Sequence, residues 1–358
     1  MTRPIRRFAP LLLAASAACS TANTEPTPSF LAGTATDANI VSTVLSLSSS
    51  FLQLQAGAPD VRQSIGLGTS QQITPVGFAI RGAVVSIPTG NAASLIAANV
   101  ETGVNRTFTW PSGNATGSAW VDDNTIITTN PSLNLVGRVR LNQMSTTIGD
   151  TIRVAAFPTD VVVANGRIFV VSSNLDANFS PAGPGIVTEL DATLFTPLRT
   201  FTVGTNPGYA AAFNNRLFVT NAGDFGANNG TLSVINLATN TTAAPITGFG
   251  DFPGQITIDA QGRAYISGFA FGTVIYNTVT NSFVRGASNP LCAPVAGVCR
   301  GSTGAQLGGN GRIYQSFFGS ASANQPGRIF VYDGTSLALT DSITVPVGTS
   351  QIDVRSFR

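Results

Sequence analysis

The side chains that most often carry catalysis are scarce in this chain. Its 358 residues include no histidine, and all 19 of its basic residues are arginine. Without histidine there is no Ser-His-Asp triad and no His-ligated metal, and without lysine there is no Schiff base and no phosphate-loop lysine. Carboxylates are therefore the remaining candidates for chemistry.

The positions of the carboxylates limit that chemistry further. Beyond residue 37 the only glutamates are Glu101 and Glu189. Both fall on predicted outer strands of the repeat described below, which disfavours a paired-carboxylate hydrolase. Aspartates fall nearer its axis and in loops, where a ring of oxygens could hold calcium. Because aspartate also caps turns with its own backbone, the sequence predicts no metal and no cofactor, with Asp160, Asp224 and Asp353 as the alternative metal ligands.

A repeated segment indicates the fold that must position these groups. Four copies begin with a turn of Asn, Gly or Gln-Gly type, continue with arginine and end in alternating apolar residues, which is the pattern of a hairpin followed by a strand. The copies are "NGRIFVVSSN", "NNRLFVTNAG", "QGRAYISGFA" and "NGRIYQSFFG". Their arginines, Arg167, Arg216, Arg263 and Arg312, recur at intervals of 49, 47 and 49 residues. Four short strands at this period predict the blades of an all-β propeller.

The ends of the chain bear on the number of blades. The segment "VPVGTSQIDVRSF" at 345–357 is similar to "IGLGTSQQITPVGF" at 65–78, so the chain ends on an innermost strand. Residues 38–68 would then supply the outer strands of the same blade, which removes an open sheet edge. The sequence predicts seven four-stranded blades with one split between the termini, and six blades with a separate N-terminal segment as the alternative.

One blade also resembles a known repeat family. "LFVTNAG" followed by "GTLSVINLATNTT", within residues 217–242, resembles the YVTN β-propeller repeats of bacterial and archaeal surface proteins. The resemblance implies a propeller at the cell envelope. It implies little about activity, because such folds host unrelated functions.

The N-terminus reads as an export signal. Residues 1–18 have a basic start, a short apolar run and small residues. Ala17-Ala18-Cys19 resembles a lipobox, which predicts lipidation of Cys19, a flexible tether over 19–37 and a propeller domain over 38–358. The expected location is a membrane-anchored lipoprotein at the periplasmic or outer cell surface. Cleavage after Ala17, which would give a soluble secreted protein, is the alternative.

Two further cysteines lie close together near the C-terminus. Cys292 and Cys299 are separated by "APVAGV", and in an exported protein such a pair predicts a disulfide.

The longest predicted loops join second to third strands and fourth strands to the next blade, and both kinds emerge on one face of a propeller. Long loops on a rigid scaffold commonly carry binding. The alternative is that their aromatic side chains fill the spaces between blades. The candidate binding residues on this face are Phe179, Tyr209, Asp224, Phe225, Asp251, Phe252, Phe269, Phe271, Phe317 and Phe318.

These observations predict a non-catalytic propeller that binds a protein or glycan partner at the envelope. The arginines form no cluster of the kind that binds nucleic acid, so no nucleic-acid partner is expected. Contact with the membrane is expected through the lipid anchor alone. The protein is expected to be a monomer. The alternatives are a calcium-dependent propeller hydrolase of the lactonase type and a structural component of a surface layer.

Overall fold

A computed structural model describes most of the chain. The predicted signal peptide and Cys19 lie outside the described residues. For the strands at both ends of the chain, only the backbone is described. The described ranges are 28–34, 41–48, 61–69, 77–99, 102–295, 298–299, 301–309, 311–320, 325–345 and 351–356.

The described chain is built from antiparallel β-strands. Three strands lead: β1 (Pro28–Thr34), β2 (Val41–Ser48) and β3 (Val61–Thr69). Blade I follows with β4 (Ala79–Arg81), β5 (Val84–Pro88), β6 (Ser94–Asn99) and β7 (Asn105–Thr109). Blade II contains β8 (Ser118–Trp120), β9 (Thr125–Asn130), β10 (Leu135–Arg140) and β11 (Asp150–Arg153), with a 3-10 helix over Pro131–Leu133.

The next two blades carry long connections between their second and third strands. Blade III is β12 (Pro158–Ala164), β13 (Arg167–Ser172), β14 (Pro184–Asp191) and β15 (Pro197–Thr205). Blade IV is β16 (Pro207–Phe213), β17 (Arg216–Asn221), β18 (Thr231–Asn236) and β19 (Thr241–Thr242), and β20 (Ile246–Thr247) also pairs with β18.

Two more blades and a short ribbon complete the series. Blade V is β21 (Pro253–Ile258), β22 (Arg263–Gly268), β23 (Gly272–Asn277) and β24 (Ser282–Arg285). The ribbon pairs β25 (Pro294–Val295) with β26 (Val298–Cys299). Blade VI is β27 (Gly304–Leu307), β28 (Arg312–Phe317), β29 (Gly327–Asp333) and β30 (Leu339–Val345).

The predicted all-β propeller is therefore confirmed. The first strands of neighbouring blades contact one another and line a central channel. In the described chain between Ala79 and Val345 the blades number six, which is the alternative given above and not the predicted seven.

The two ends of the chain form a further four-stranded sheet. Its order is β3-β2-β1-β31, where β31 is Gln351–Ser356, and β31 also contacts β27 of blade VI. β1 lies inside residues 19–37, for which the Thr-, Pro- and Ala-rich composition predicted a flexible tether. The short run "SFLAG" forms the strand because β2 and β31 supply hydrogen bonds on both of its edges.

The turns of the repeat have the predicted chemistry. Asn165 and Gly166 connect β12 to β13 with φ of 52° and 71°, and Asn214 and Asn215 connect β16 to β17 with φ of 46° and 56°. Both central residues of a type I′ hairpin need positive φ, which Asn and Gly tolerate best.

The hydrophobic core lies between the blades. One cluster joins Phe169 and Val187 of blade III to Leu217 and Val219 of blade IV, all fully buried. Similar clusters fill the spaces between the other neighbouring blades from I to VI. A single blade cannot bury its own faces, so the ring of blades is what creates the core.

Within the described residues, no helix has the length and apolar character needed to cross a membrane.

Candidate functional site

The two faces of the ring differ in the length of their loops. The loop face carries the connections from second to third strands, which include 173–183, 222–230 and 318–326, and the connections from each fourth strand to the next blade. The opposite side, here called the turn face, carries the hairpins at 165–166 and 214–215. This asymmetry places most exposed aromatic side chains on the loop face.

A cavity of about 700 Å³ opens on the loop face above blades III, IV and V. Five of the ten predicted face residues line it, namely Phe179, Tyr209, Asp224, Phe225 and Phe252. The cavity is also lined by Phe157, Leu175 and Pro181, which the loop and aromatic pattern did not indicate. A volume of this size, with mostly apolar walls and a few polar groups, is typical of ligand sites.

Two aromatic pairs lie in this loop-face cavity. The ring centroids of Phe157 and Phe179 are 5.6 Å apart with planes at 87°, and those of Phe225 and Phe252 are 5.7 Å apart at 73°. Edge-to-face geometry of this kind stabilises each pair by about 0.5–1.5 kcal/mol. Phe179 is 70% exposed and Phe225 is 81% exposed, so both rings remain open to a ligand.

Three of the first strands are preceded by a residue of positive φ directly before a proline. These residues are Phe157, Asn206 and Phe252, with φ of 57°, 53° and 55°. Asparagine tolerates this conformation, whereas a bulky side chain in it is strained, and such strain is concentrated at functional sites. The recurring "FPT", "NPG" and "FPG" are visible in the sequence and could have identified Phe157.

The aspartates of this face stabilise its loops. The Asp224 N–H donates to Asn229 Oδ1 at 2.9 Å, and Asn229 Nδ2 donates to Asp224 Oδ2 at 3.1 Å. Asp251 Oδ1 accepts the N–H of Gly226 at 2.9 Å from the neighbouring connection. These bonds run within the Phe225 loop and between it and the connection that contains Asp251, and they hold the Phe225 loop in place.

The remaining predicted aromatic residues divide into two groups. Phe269 and Phe318 are exposed and line a smaller cavity of about 320 Å³ beside the ribbon. Phe317 is only 8% exposed and lies in the core cluster between blades V and VI. Phe271 packs against the cluster between blades IV and V. For Phe271 and Phe317 the space-filling interpretation describes the structure better than the binding one.

The loop-face cavity continues into the central channel, a cavity of about 450 Å³. Thr116, Thr159 and Tyr209 line both. Asp160 lies in the channel wall, where its carboxylate accepts the N–H of Val161 at 2.8 Å and that of Ala210 at 3.0 Å. Burial raises the pKa of Asp160 to about 6, although the two backbone N–H groups favour its charged form.

The alternative metal ligands are not gathered into one site in the described structure. Asp160 lines the channel and Asp224 lines the loop-face cavity. Asp353 lies on β31, and its side chain is outside the described residues. Among the residues described, no group of three or more acidic or cysteine side chains is placed to hold a metal ion.

On the turn face, arginines connect neighbouring blades. Arg216 donates to the Thr278 carbonyl of the next blade at 2.9 Å, and Arg263 donates to the Gly334 carbonyl at 3.0 Å. The guanidinium of Arg216 lies 5.0 Å from the centroid of the Phe218 ring. Arg138 and Arg106 make the same combination of a ring contact and a bond to the next blade.

The other predicted repeat arginines have different surroundings. Arg167 pairs with Glu189, which is fully buried on β14, and Arg199 Nε lies 3.2 Å from Glu189 Oε2. Arg312 begins β28. Among the four repeat arginines, Arg216 and Arg263 lie over aromatic rings of their own blades. The repeat pattern did not indicate their bonds to the next blade.

The predicted disulfide is confirmed. Cys292 and Cys299 are bonded, with Cα atoms 5.7 Å apart, and the bond closes the ribbon of β25 and β26.

Comparison with known proteins supports the fold. No family model matches the sequence, and no curated protein matches it either. A chain of the hydrazine synthase of Kuenenia stuttgartiensis has a similar structure, with a TM-score of 0.61 and 11% identity over 80% of this chain and 90% of that one. A chain of the nidogen/laminin complex aligns with a TM-score of 0.49 and 11% identity over 91% of this chain and 98% of that one. At such identities the first similarity concerns the fold alone, and the second carries no argument.

Proposed function

We propose that this protein is a non-catalytic binding module of the cell envelope that holds a partner protein or glycan on its loop face. The observation that carries the proposal is the cavity of about 700 Å³ with two aromatic pairs at its opening. Partly exposed aromatic rings on ordered loops above a rigid ring of blades are typical of a recognition surface.

The composition of the site favours binding over catalysis. Asp224 is the one charged residue among the described residues that line the loop-face cavity. Asp224 is already bonded to Asn229, and the other titratable side chain among the described lining residues is the phenol of Tyr209. The cavity therefore has neither the paired carboxylates nor the imidazole that acid-base catalysis most often uses. The chain supplies no histidine or lysine elsewhere for that role.

We also propose an anchored location and a closed ring. A lipid on Cys19 would tether the propeller to the membrane, as the N-terminal sequence and the resemblance to YVTN repeats suggest. The sheet of β1, β2, β3 and β31 would lie beside blade VI and close the ring, and the contact of β31 with β27 supports this placement. Deletion of residues 351–358 should then lower the melting temperature by several degrees. An unchanged melting temperature would count against the closure.

Crosslinking in the native envelope tests the proposed function. A photoreactive residue is placed at Phe225 in the loop-face cavity and, as the control, at Asn215 in a turn-face hairpin. One dominant adduct that forms from position 225 and not from position 215 would support a directed binding face. Adducts of equal yield from both positions, or none from 225, would contradict it.

A further inference from the structure

We propose that the loop-face cavity receives a basic side chain, namely an arginine of a partner protein, with its guanidinium over the exposed phenylalanines and bonded to Asp224. This inference rests on the proposed function, because it names the chemistry of the partner that the same cavity would bind. It also favours a protein over a glycan.

The negative charge of the cavity favours a cationic side chain. Asp224 is the only charged residue among the described lining residues, and it is exposed. Asp176 lies in the same loop as Phe179, and Asp251 lies next to Phe252, so the rim adds negative charge. An ionised carboxylate has about four acceptor positions, and the hydrogen bond from Asn229 uses one of those of Asp224. A sugar hydroxyl could donate a hydrogen bond to this carboxylate, but only a cation such as a guanidinium would also balance its charge.

The exposed phenylalanine rings of the cavity also favour a cation. In an edge-to-face pair, the ring that contributes its edge keeps both of its faces free. The cavity contains two such pairs, and Phe179 and Phe225 are largely exposed. The face of an aromatic ring carries partial negative charge and attracts a cation within about 6 Å of its centroid.

This chain already contains contacts between a guanidinium and a phenylalanine ring. Arg216 lies 5.0 Å from the Phe218 centroid, and Arg138 lies 4.7 Å from the Phe195 centroid. Each of these arginines also donates to an oxygen acceptor in the next blade. The loop-face cavity presents phenylalanine rings and an oxygen acceptor in the same combination, and an arginine from a partner would supply the cation.

The size and the apolar walls of the cavity suit an arginine side chain. A cavity of about 700 Å³ is larger than one side chain, so it accommodates an arginine together with its neighbouring residues in the partner. Leu175 and Pro181 in its wall provide apolar surface for the methylene stem, which arginine buries while its head stays polar. Lysine, with a compact and strongly hydrated charge, suits stacked rings less well than arginine.

The test compares two peptides that differ in charge at one side chain. The probes are acetyl-Gly-Gly-Arg-Gly-Gly-amide and the same peptide with citrulline, the neutral isostere of arginine, and binding to the full chain is measured by titration calorimetry. The arginine peptide should bind at least about fivefold more tightly than the citrulline peptide, since a guanidinium gains both the ring contact and the charge-assisted hydrogen bond. The difference should shrink as salt is raised.

Three variants locate the effect. Phe225→Leu keeps apolar bulk but removes the ring, and Asp224→Asn keeps an acceptor for Asn229 but removes the charge; each should reduce the preference for arginine to less than about twofold. Phe269→Leu is the matched control, because Phe269 is an exposed loop phenylalanine that lies outside this cavity. The control should leave the preference unchanged, and equal melting temperatures show that all three variants fold.

Each other outcome has a definite meaning. Equal binding of the two peptides would overturn the arginine inference and leave the proposed function standing, because the cavity would bind peptides without using charge. Binding of an envelope oligosaccharide but of neither peptide would also overturn it and favour the glycan. Absence of peptide binding together with absence of an envelope adduct at position 225 would overturn both proposals.

Discussion

The turn face and the loop face of the propeller both carry aromatic rings, but they differ in what the rings contact. On the turn face, guanidinium groups lie over aromatic rings and donate to carbonyls of the next blade, as Arg216 does with Phe218 and Thr278. On the loop face, Phe225 and Phe252 form a pair above a cavity whose described walls contain no cation. The difference teaches that aromatic residues help to hold the ring together on one face and remain exposed on the other.

The sharpest way to break this comparison is to remove one phenylalanine from each environment. Phe249 is fully buried between blades IV and V, where its ring contacts those of Tyr276 and Phe283. Phe249→Ala should lower the free energy of unfolding by about 3–5 kcal/mol, through lost contacts and the cavity left behind. Phe225→Ala should lower it by less than about 1 kcal/mol, since the ring is exposed. Urea unfolding measures both values, and equal losses would show that Phe225 is part of the scaffold.

A second prediction concerns the bonds between blades on the turn face. Arg216→Ala removes the ring contact with Phe218 and the 2.9 Å bond to Thr278, and should lower the free energy of unfolding by about 2 kcal/mol. Arg140 is the control, because it makes only a 3.5 Å ion pair with Asp150 on the surface. Arg140→Ala should cost less than about 0.5 kcal/mol by the same measurement. If the two variants lose equal stability, the turn-face arginines do not connect the blades as described.

A third prediction concerns Asp160, which lies in the channel below the cavity. Its pKa rises from 3.8 to about 6 on folding because of burial. The folded state therefore binds the proton more tightly, so the stability from this group is present below pH 4 and is lost as the pH rises to 6. The Asp160→Asn variant carries no charge, so it does not lose stability as the pH rises, but its single amide oxygen cannot accept both backbone N–H bonds. The net result should be a gain in stability at pH 7 of about 1–2 kcal/mol. Thermal unfolding at pH 4, 5, 6 and 7 measures this, and a variant that is less stable at pH 7 would assign Asp160 to the scaffold.

The smallest predicted effect concerns the strained residues before proline. Phe157→Asn places a residue that tolerates positive φ at 57° but loses the contact with Phe179. The net result should be a gain in stability of about 0.5 kcal/mol. Asn206→Phe at the equivalent position of blade IV is the reciprocal control and should lose about 1 kcal/mol. A loss of stability in Phe157→Asn, measured by urea unfolding, would mean that the ring serves the fold first.

Much of the scaffold could be predicted from local sequence. The propeller, the type I′ turns at 165–166 and 214–215, and the disulfide follow from short motifs, because a turn or a seven-residue cysteine spacing needs no distant partner. A last strand near the C-terminus and a sheet shared by both ends were predicted, but the pairing of β1 with β31 was not, because β1 lies in the predicted tether and far from β31 in the chain.

The candidate site could be predicted only in part. Loop length and aromatic content indicated five of the residues that line the loop-face cavity. The same signal also selected Phe271 and Phe317, which fill space between blades. An aromatic residue in a loop points toward solvent or toward the core according to the packing around it, and one sequence does not record that packing.

The sequence by itself determined the repeat, the hairpins and the exclusion of histidine- and lysine-dependent chemistry, because these depend on residue type and short spacing. Only the tertiary structure decided which phenylalanines meet across the loop face and which arginines find the carbonyls of the next blade. Phe225 reaches Phe252, and Arg216 reaches Thr278, because the ring brings neighbouring blades side by side. Those contacts depend on how the blades are stacked, and that stacking separates a face that holds the fold together from a face open to a partner.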